Sequence, residues 1–149
     1  MRRGSTLLVG SPHLLAHAPN SNDAALNAKL SGCYPMDGEP VYCDRATGRF
    51  WMDLEFTDPT TMVLTTEIVD GLETSDFEIT NGTVAAVEPW TAHHYRVVID
   101  PATLGQPVTI RLPAATALGV GEGITSDGRN NYTRDNAASN TVTIQTRVP

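Results

Sequence analysis

The sequence predicts an all-β fold, an antiparallel β-sandwich, and three observations predict it. From Arg49 onward apolar residues recur at every second position, the period of a half-buried strand. The alternating runs are short and regularly punctuated by Pro, Gly, Asn and Asp, as in two packed antiparallel sheets. No segment after residue 40 keeps a helical period over two turns; Ala114 to Leu118 comes nearest, and Gly119, Gly121 and Gly123 stop it.

At the amino end, Arg2 and Arg3, the Leu7-Leu8-Val9 run, Leu14-Leu15 and the Ala16-His17-Ala18 triplet are pieces of a secretory signal. Gly10, Ser11, Pro12 and His13 break its apolar middle, so a plain leader is the expectation. Asn20 to Lys29 is polar and Ala-rich and predicts at most a short helix. The chain therefore divides into a poorly structured extension, 1–32, and a sandwich, 33–149. Cys33 and Cys43, the two cysteines of the chain, bracket Pro35, Asp37-Gly38 and Pro40, all turn formers. A turn there brings the sulfurs together, and a disulfide is expected in preference to free thiols, which points to an oxidising compartment. A zinc site would need further Cys or His at ligand spacing, and none is near.

The strands follow in order. Phe50, Met52, Leu54 and Phe56 alternate with Trp51, Asp53, Glu55 and Thr57 until Asp58-Pro59 breaks the ladder. Thr61 to Val69 is β-branched and reads as another strand or hairpin arm. Phe77 and Ile79 flank Glu78 ahead of Asn81-Gly82, a strong hairpin signal, and Thr83 to Val87 resumes the extended pattern. Tyr95, Val97 and Ile99, then Val108, Ile110 and Leu112, then Val142 and Ile144 supply further alternating runs.

Three stretches carry a resemblance. Thr47-Gly48-x-Phe50 opens the strand that ends Phe56-Thr57-Asp58-Pro59. Val69-Asp70-Gly71-Leu72 precedes Ser75-Asp76-Phe77-x-Ile79-Thr80-Asn81-Gly82-Thr83-Val84. Pro107-Val108-Thr109-Ile110-x-Leu112-Pro113-Ala114 leads through a Gly/Asp/Asn-rich loop to Ala138-Ser139-Asn140-Thr141. In this order, over about Pro40 to Thr146, the chain resembles the bacterial immunoglobulin-like repeats of large secreted and surface-anchored adhesin-type proteins. The resemblance implies an immunoglobulin-like sandwich at the cell surface or outside the cell. Its work there would be spacing and adhesion without catalysis, and its partners would be neighbouring modules or an extracellular surface. Thr60 to Ile68 departs from the repeat pattern as an insertion.

Composition narrows the function. With 10 Lys+Arg against 17 Asp+Glu the net charge is −7, which repels phosphate backbones, so no nucleic acid is expected as a partner. Apolar runs stay far below the ~20 residues of a membrane-spanning helix, so no such span is expected. Asp127, Asn130 and Asp135, with Gly128, Asn131 and Asn136, form an oxygen-rich loop for which Ca2+ is the candidate cation; no other cofactor is called for. A solvated loop using Asp and Asn for its turns explains the same residues. His93 and His94 point to opposite faces of a strand and cannot share a metal. Asp53 and Glu55, ~7 Å apart along one strand, have the spacing of a glycosidase pair. Ordinary outward charges explain them better, and no G-x-S-x-G accompanies Ser75-Asp76. Gly119-x-Gly121-x-Gly123 follows no buried parallel strand and is no phosphate loop. Trp51 faces away from the apolar row of its strand and Trp90 sits beside Pro89. Outward aromatics on a sandwich more often cover a sheet edge or pack on a neighbouring module, but they are also how such modules hold sugars, so a carbohydrate-binding module is the alternative function, and an extracellular hydrolase a distant one.

Overall fold

The computed structural model describes residues 24–36, 41–62, 65, 68–122 and 131–149. The strands are β1 (Asn27–Pro35), β2 (Phe50–Thr57), β3 (Ile68–Asp70), β4 (Glu78–Thr80), β5 (Gly82–Thr91), β6 (His94–Pro101), β7 (Val108–Arg111), β8 (Leu118–Glu122), β9 (Asn131–Asp135) and β10 (Val142–Ile144). A single 3-10 turn, Thr74–Asp76, interrupts them among the described residues. They form a four-stranded sheet in the order β1-β2-β6-β5 and two three-stranded sheets, β10-β7-β4 and β3-β8-β9. Every strand pairing in these sheets is antiparallel, so the molecule is all-β, as the period-two pattern predicts.

Alternation along β2 builds the core directly: Phe50, Met52, Leu54 and Phe56 are each at most 1% exposed. Val97 and Ile99 on β6 and Leu30 on β1 extend that apolar layer. Val108 and Ile110 on β7, Leu112 just beyond it and Ile144 on β10 complete it from the facing sheet. Each large side chain so buried contributes roughly 1.5–3 kcal/mol of transfer free energy. The third sheet is fastened at one end. The Val69 N–H donates to the Ala92 carbonyl at 2.7 Å, and the buried Tyr95 hydroxyl donates to the Val69 carbonyl.

Several local expectations are corrected. The sandwich begins before residue 33: Leu26, Ala28 and Leu30 are buried and Asn27 opens β1, where composition had predicted a helix at most. Pairing with β2, residue for residue from Asn27↔Thr57 to Ser31↔Asp53, outweighs the weak strand propensity of this segment. Asn81-Gly82 joins no hairpin, because β4 and β5 belong to different sheets. It is the corner between them: Asn81 adopts φ 58°, accepts from the Thr103 N–H and donates to the Thr103 and Gln106 carbonyls. A Cβ at Gly82 would lie 2.8 Å from the Asp100 carbonyl oxygen, so the close approach needs glycine. Within Thr61 to Val69 the described strand is confined to Ile68 and Val69, because the Asp58 carboxylate folds the preceding residues into a turn through the Thr60 and Thr61 N–H groups. Leu118–Glu122 and Asn131–Asp135, read from composition as glycine- and asparagine-rich loop, pair as strands.

Candidate functional site

The outward face of the four-stranded sheet gathers an unbroken row of aromatic and guanidinium groups. Its foundation is parity. Trp51, Asp53 and Glu55 alternate with the buried row of β2, and Arg96 and His94 take the same face of β6. Val98 shares that outward face and lies between Trp51 and Ala86 in the register; it is outside the core cluster yet only 2% exposed.

Two β-bulges add the remaining members. In β1, Ser31 pairs with Asp53 but Tyr34 with Trp51, so one extra residue is accommodated. Gly32 carries it at φ 86°. The shift turns Cys33 inward, 2% exposed, and stacks the Tyr34 ring on Trp51 with centroids 4.2 Å apart and planes 23° apart. In β5, Pro89 pairs with Tyr95 and Thr91 with His94, leaving Trp90 unpaired at a second irregularity, 60% exposed. Arg96, on the strand between, has its guanidinium carbon 4.2 Å from the Trp51 centroid and 4.5 Å from that of Trp90. Each cation–π contact of this kind is worth roughly 0.5–2 kcal/mol. The far end is held covalently. Cys33 and Cys43 are disulfide-bonded with Cα atoms 5.3 Å apart, and the Cys43 N–H donates to the Cys33 carbonyl at 2.7 Å. That link sets Tyr42 edge-on to Tyr34, centroids 5.6 Å apart, with Tyr42 68% exposed. The row thus reads Trp90, Arg96, Trp51, Tyr34, Tyr42.

The polar groups beside it are arranged around Asp53. Its Oδ1 lies 2.7 Å from His94 Nε2. Burial, then the neighbouring Asp53 carboxylate that the hydroxyl hydrogen-bonds, raises the Tyr34 phenol above its ordinary pKa. Arg96 is different. Both of its cross-strand partners are acidic, Asp53 on β2 and Glu88 on β5, yet it makes a salt bridge with neither, and its Nε is buried without a hydrogen-bond partner. Indole faces replace carboxylate oxygens as its neighbours.

Trp51 and Trp90, read from the sequence as separate outward aromatics, are therefore brought together by a residue that reading did not single out. Arg96 shares its outward parity with Trp51, but only the β2–β6 and β5–β6 registers place both indoles against it. Of the calcium candidates, Asp127 and Asn130 lie outside the described residues. Asp135 is an exposed residue of β9 opposite Leu118, its carbonyl accepting from the Leu26 N–H. Among the described residues no three His, Cys, Asp or Glu side chains gather as a metal cluster. Asp76 caps a turn through the Glu73 N–H, and the Asp53 carboxylate is occupied by His94. No helix among the described residues is long and apolar enough to cross a membrane. No protein-family model, curated protein or solved structure matches the chain.

Proposed function

We propose that this chain is a non-catalytic adhesion module of an exported protein and that it holds a glycan on the Trp90–Arg96–Trp51–Tyr34–Tyr42 row. The observation that carries the reading is the exposure of that row: a 60% exposed indole and a 68% exposed phenol end a continuous aromatic surface on a rigid sheet. Flat apolar rings rimmed by hydrogen-bonding groups suit the C–H faces and hydroxyls of sugars, and large exposed aromatics cost solubility unless a partner covers them. A pure spacer has no use for them.

Strand order supports the module reading. Leaving aside the β3-β8-β9 sheet and lettering the other strands A to G in chain order, the two sheets read A-B-E-D and G-F-C, the order of immunoglobulin constant-type domains. The Cys33–Cys43 bond supports an oxidising destination outside the cytoplasm.

A glycan array probed with the purified protein tests this. Binding is expected to one class of glycan, and Trp90→Ala should weaken it at least tenfold while shifting the melting temperature by no more than a few degrees, because Trp90 is mostly exposed. Silence across the array overturns the reading.

A further inference from the structure

The state of Arg96 specifies more than a generic sugar surface. We infer, resting on the glycan-binding reading above, that the row selects acidic glycans and that Arg96 binds the carboxylate of a uronic- or other sugar-acid residue seated beside Trp90. The guanidinium sits on the strand between those of Trp51 and Trp90, with an indole 4.2 Å and 4.5 Å from its carbon. An aromatic face covers a guanidinium without consuming its N–H groups, and with Nε buried it is the Nη N–H groups of Arg96 that can meet an anion from outside. Among the described residues no carboxylate or carbonyl takes them, although Asp53 and Glu88 are its register partners. Asp53 is committed to His94 at 2.7 Å. A charged fork held by stacking and left without an anion is prepared for one from outside. A carboxylate is planar and pairs with a guanidinium as a bidentate fork, which fixes its orientation as well as its charge, whereas a tetrahedral sulfate ester does not match that planar fork as closely. Carboxylate is therefore the anion the slot fits. Trp90, beside it and exposed, supplies the stacking face for the sugar ring.

Glu88 marks the other side of the balance. It is exposed, opposite Arg96, and repels an incoming anion. It sets up a variant that improves binding without disturbing the row.

The test compares oligogalacturonate with the same oligosaccharide fully methyl-esterified, with a sulfated dextran and with neutral dextran, by titration calorimetry at low and high salt. Oligogalacturonate should bind at least tenfold more tightly than its ester, weaken with added salt, and lose that preference in Arg96→Met. Glu88→Gln should tighten it severalfold, a gain that no unfolding artefact produces. Equal affinity for acid and ester overturns the inference while leaving a neutral-glycan surface intact. A preference for the sulfated polymer overturns the assignment of a carboxylate. If these four probes and a glycan array all fail to bind, the inference falls together with the reading beneath it.

Discussion

Asn136 shows how a polar side chain that looks like a ligand serves as a template. It is 2% exposed, and its Oδ1 accepts the N–H groups of Thr116 and Ala117 at 2.9 Å and 2.8 Å. Its Nδ2 donates to the carbonyls of Pro113 and Ala137 at 3.0 Å and 2.9 Å. The turn it organises contains Ala115 at φ 60°, a conformation a residue with a Cβ adopts only when its surroundings insist. Asn136→Ala removes these four bonds, and a fifth from the Thr116 hydroxyl, and strands buried backbone groups, so a loss of about 2–3 kcal/mol is expected in urea unfolding. A loss below about 0.5 kcal/mol would show that the turn holds without it. From the sequence, Asn136 belongs with Asp127, Asn130 and Asp135 as a candidate calcium ligand, because residue type and loop composition are all that a sequence offers there. What distinguishes a template from a ligand is the partner, and the Thr116 and Ala117 amides lie 20 and 19 residues away.

Elements bend where the binding row needs them to, and the two bulges do the bending. Gly32→Ala places a Cβ 2.5 Å from Tyr34 Cε2 on a residue at φ 86°. A cost of about 1–3 kcal/mol is expected. Displacement of Tyr34 from Trp51 should also change the tryptophan fluorescence of the folded protein, and an unchanged spectrum would mean that the stack does not depend on the bulge. Replacing Cys33 and Cys43 together by serine releases the segment that carries Tyr42. It should lower stability by about 2–3 kcal/mol, read by denaturant midpoint for both proteins in the absence of reductant, so that the parent keeps its bond. The alternation of β2 and β7 was legible because each of these strands buries one face, so period two is written into its own residues. β1 was not: Ala28 and Leu30 are its buried apolar residues ahead of Gly32, and β2 makes it a strand. The Asn81-Gly82 pair carries the same local preference for positive φ whether it closes a hairpin or turns a corner, and only the sheet on its far side decides which.

At the scale of the whole molecule, three carboxylate–guanidinium pairs among the described residues share one pH signature, and one of them dominates it. Arg111 holds the Glu78 carboxyl below the ordinary range, Arg49 does the same for Asp100, and both pairs are substantially exposed. Water and salt screen such exposed pairs, so they add little to the stability of the fold. The Asp58–Arg134 pair is different, with side chains 14% and 4% exposed and a separation of 2.8 Å. Burial pushes the Asp58 carboxyl up, but hydrogen bonds from Arg134 and from the Thr60 and Thr61 N–H groups together outweigh it and hold the pKa low. A carboxyl whose folded pKa lies below its unfolded value contributes stability that is complete above the unfolded pKa and is lost as pH falls through the folded one. The share of the unfolding free energy that these pairs supply should therefore hold from neutrality down to about pH 5 and fall below about pH 4. The pair joins residues 76 apart, clamping β9 to the end of β2, a link that no reading of either segment alone reveals. Arg134→Met leaves Asp58 without its guanidinium and should cost about 3 kcal/mol at pH 7, less at pH 3, where the carboxyl is gaining its proton. Adding Asp58→Asn to that variant keeps an oxygen for the Thr60 and Thr61 N–H groups and removes the orphaned charge. The double variant should then recover part of the loss at neutral pH and show a shallower acid transition than the parent. If instead its acid transition matches the parent's, the exposed pairs and not this buried clamp govern the acid limit of the fold.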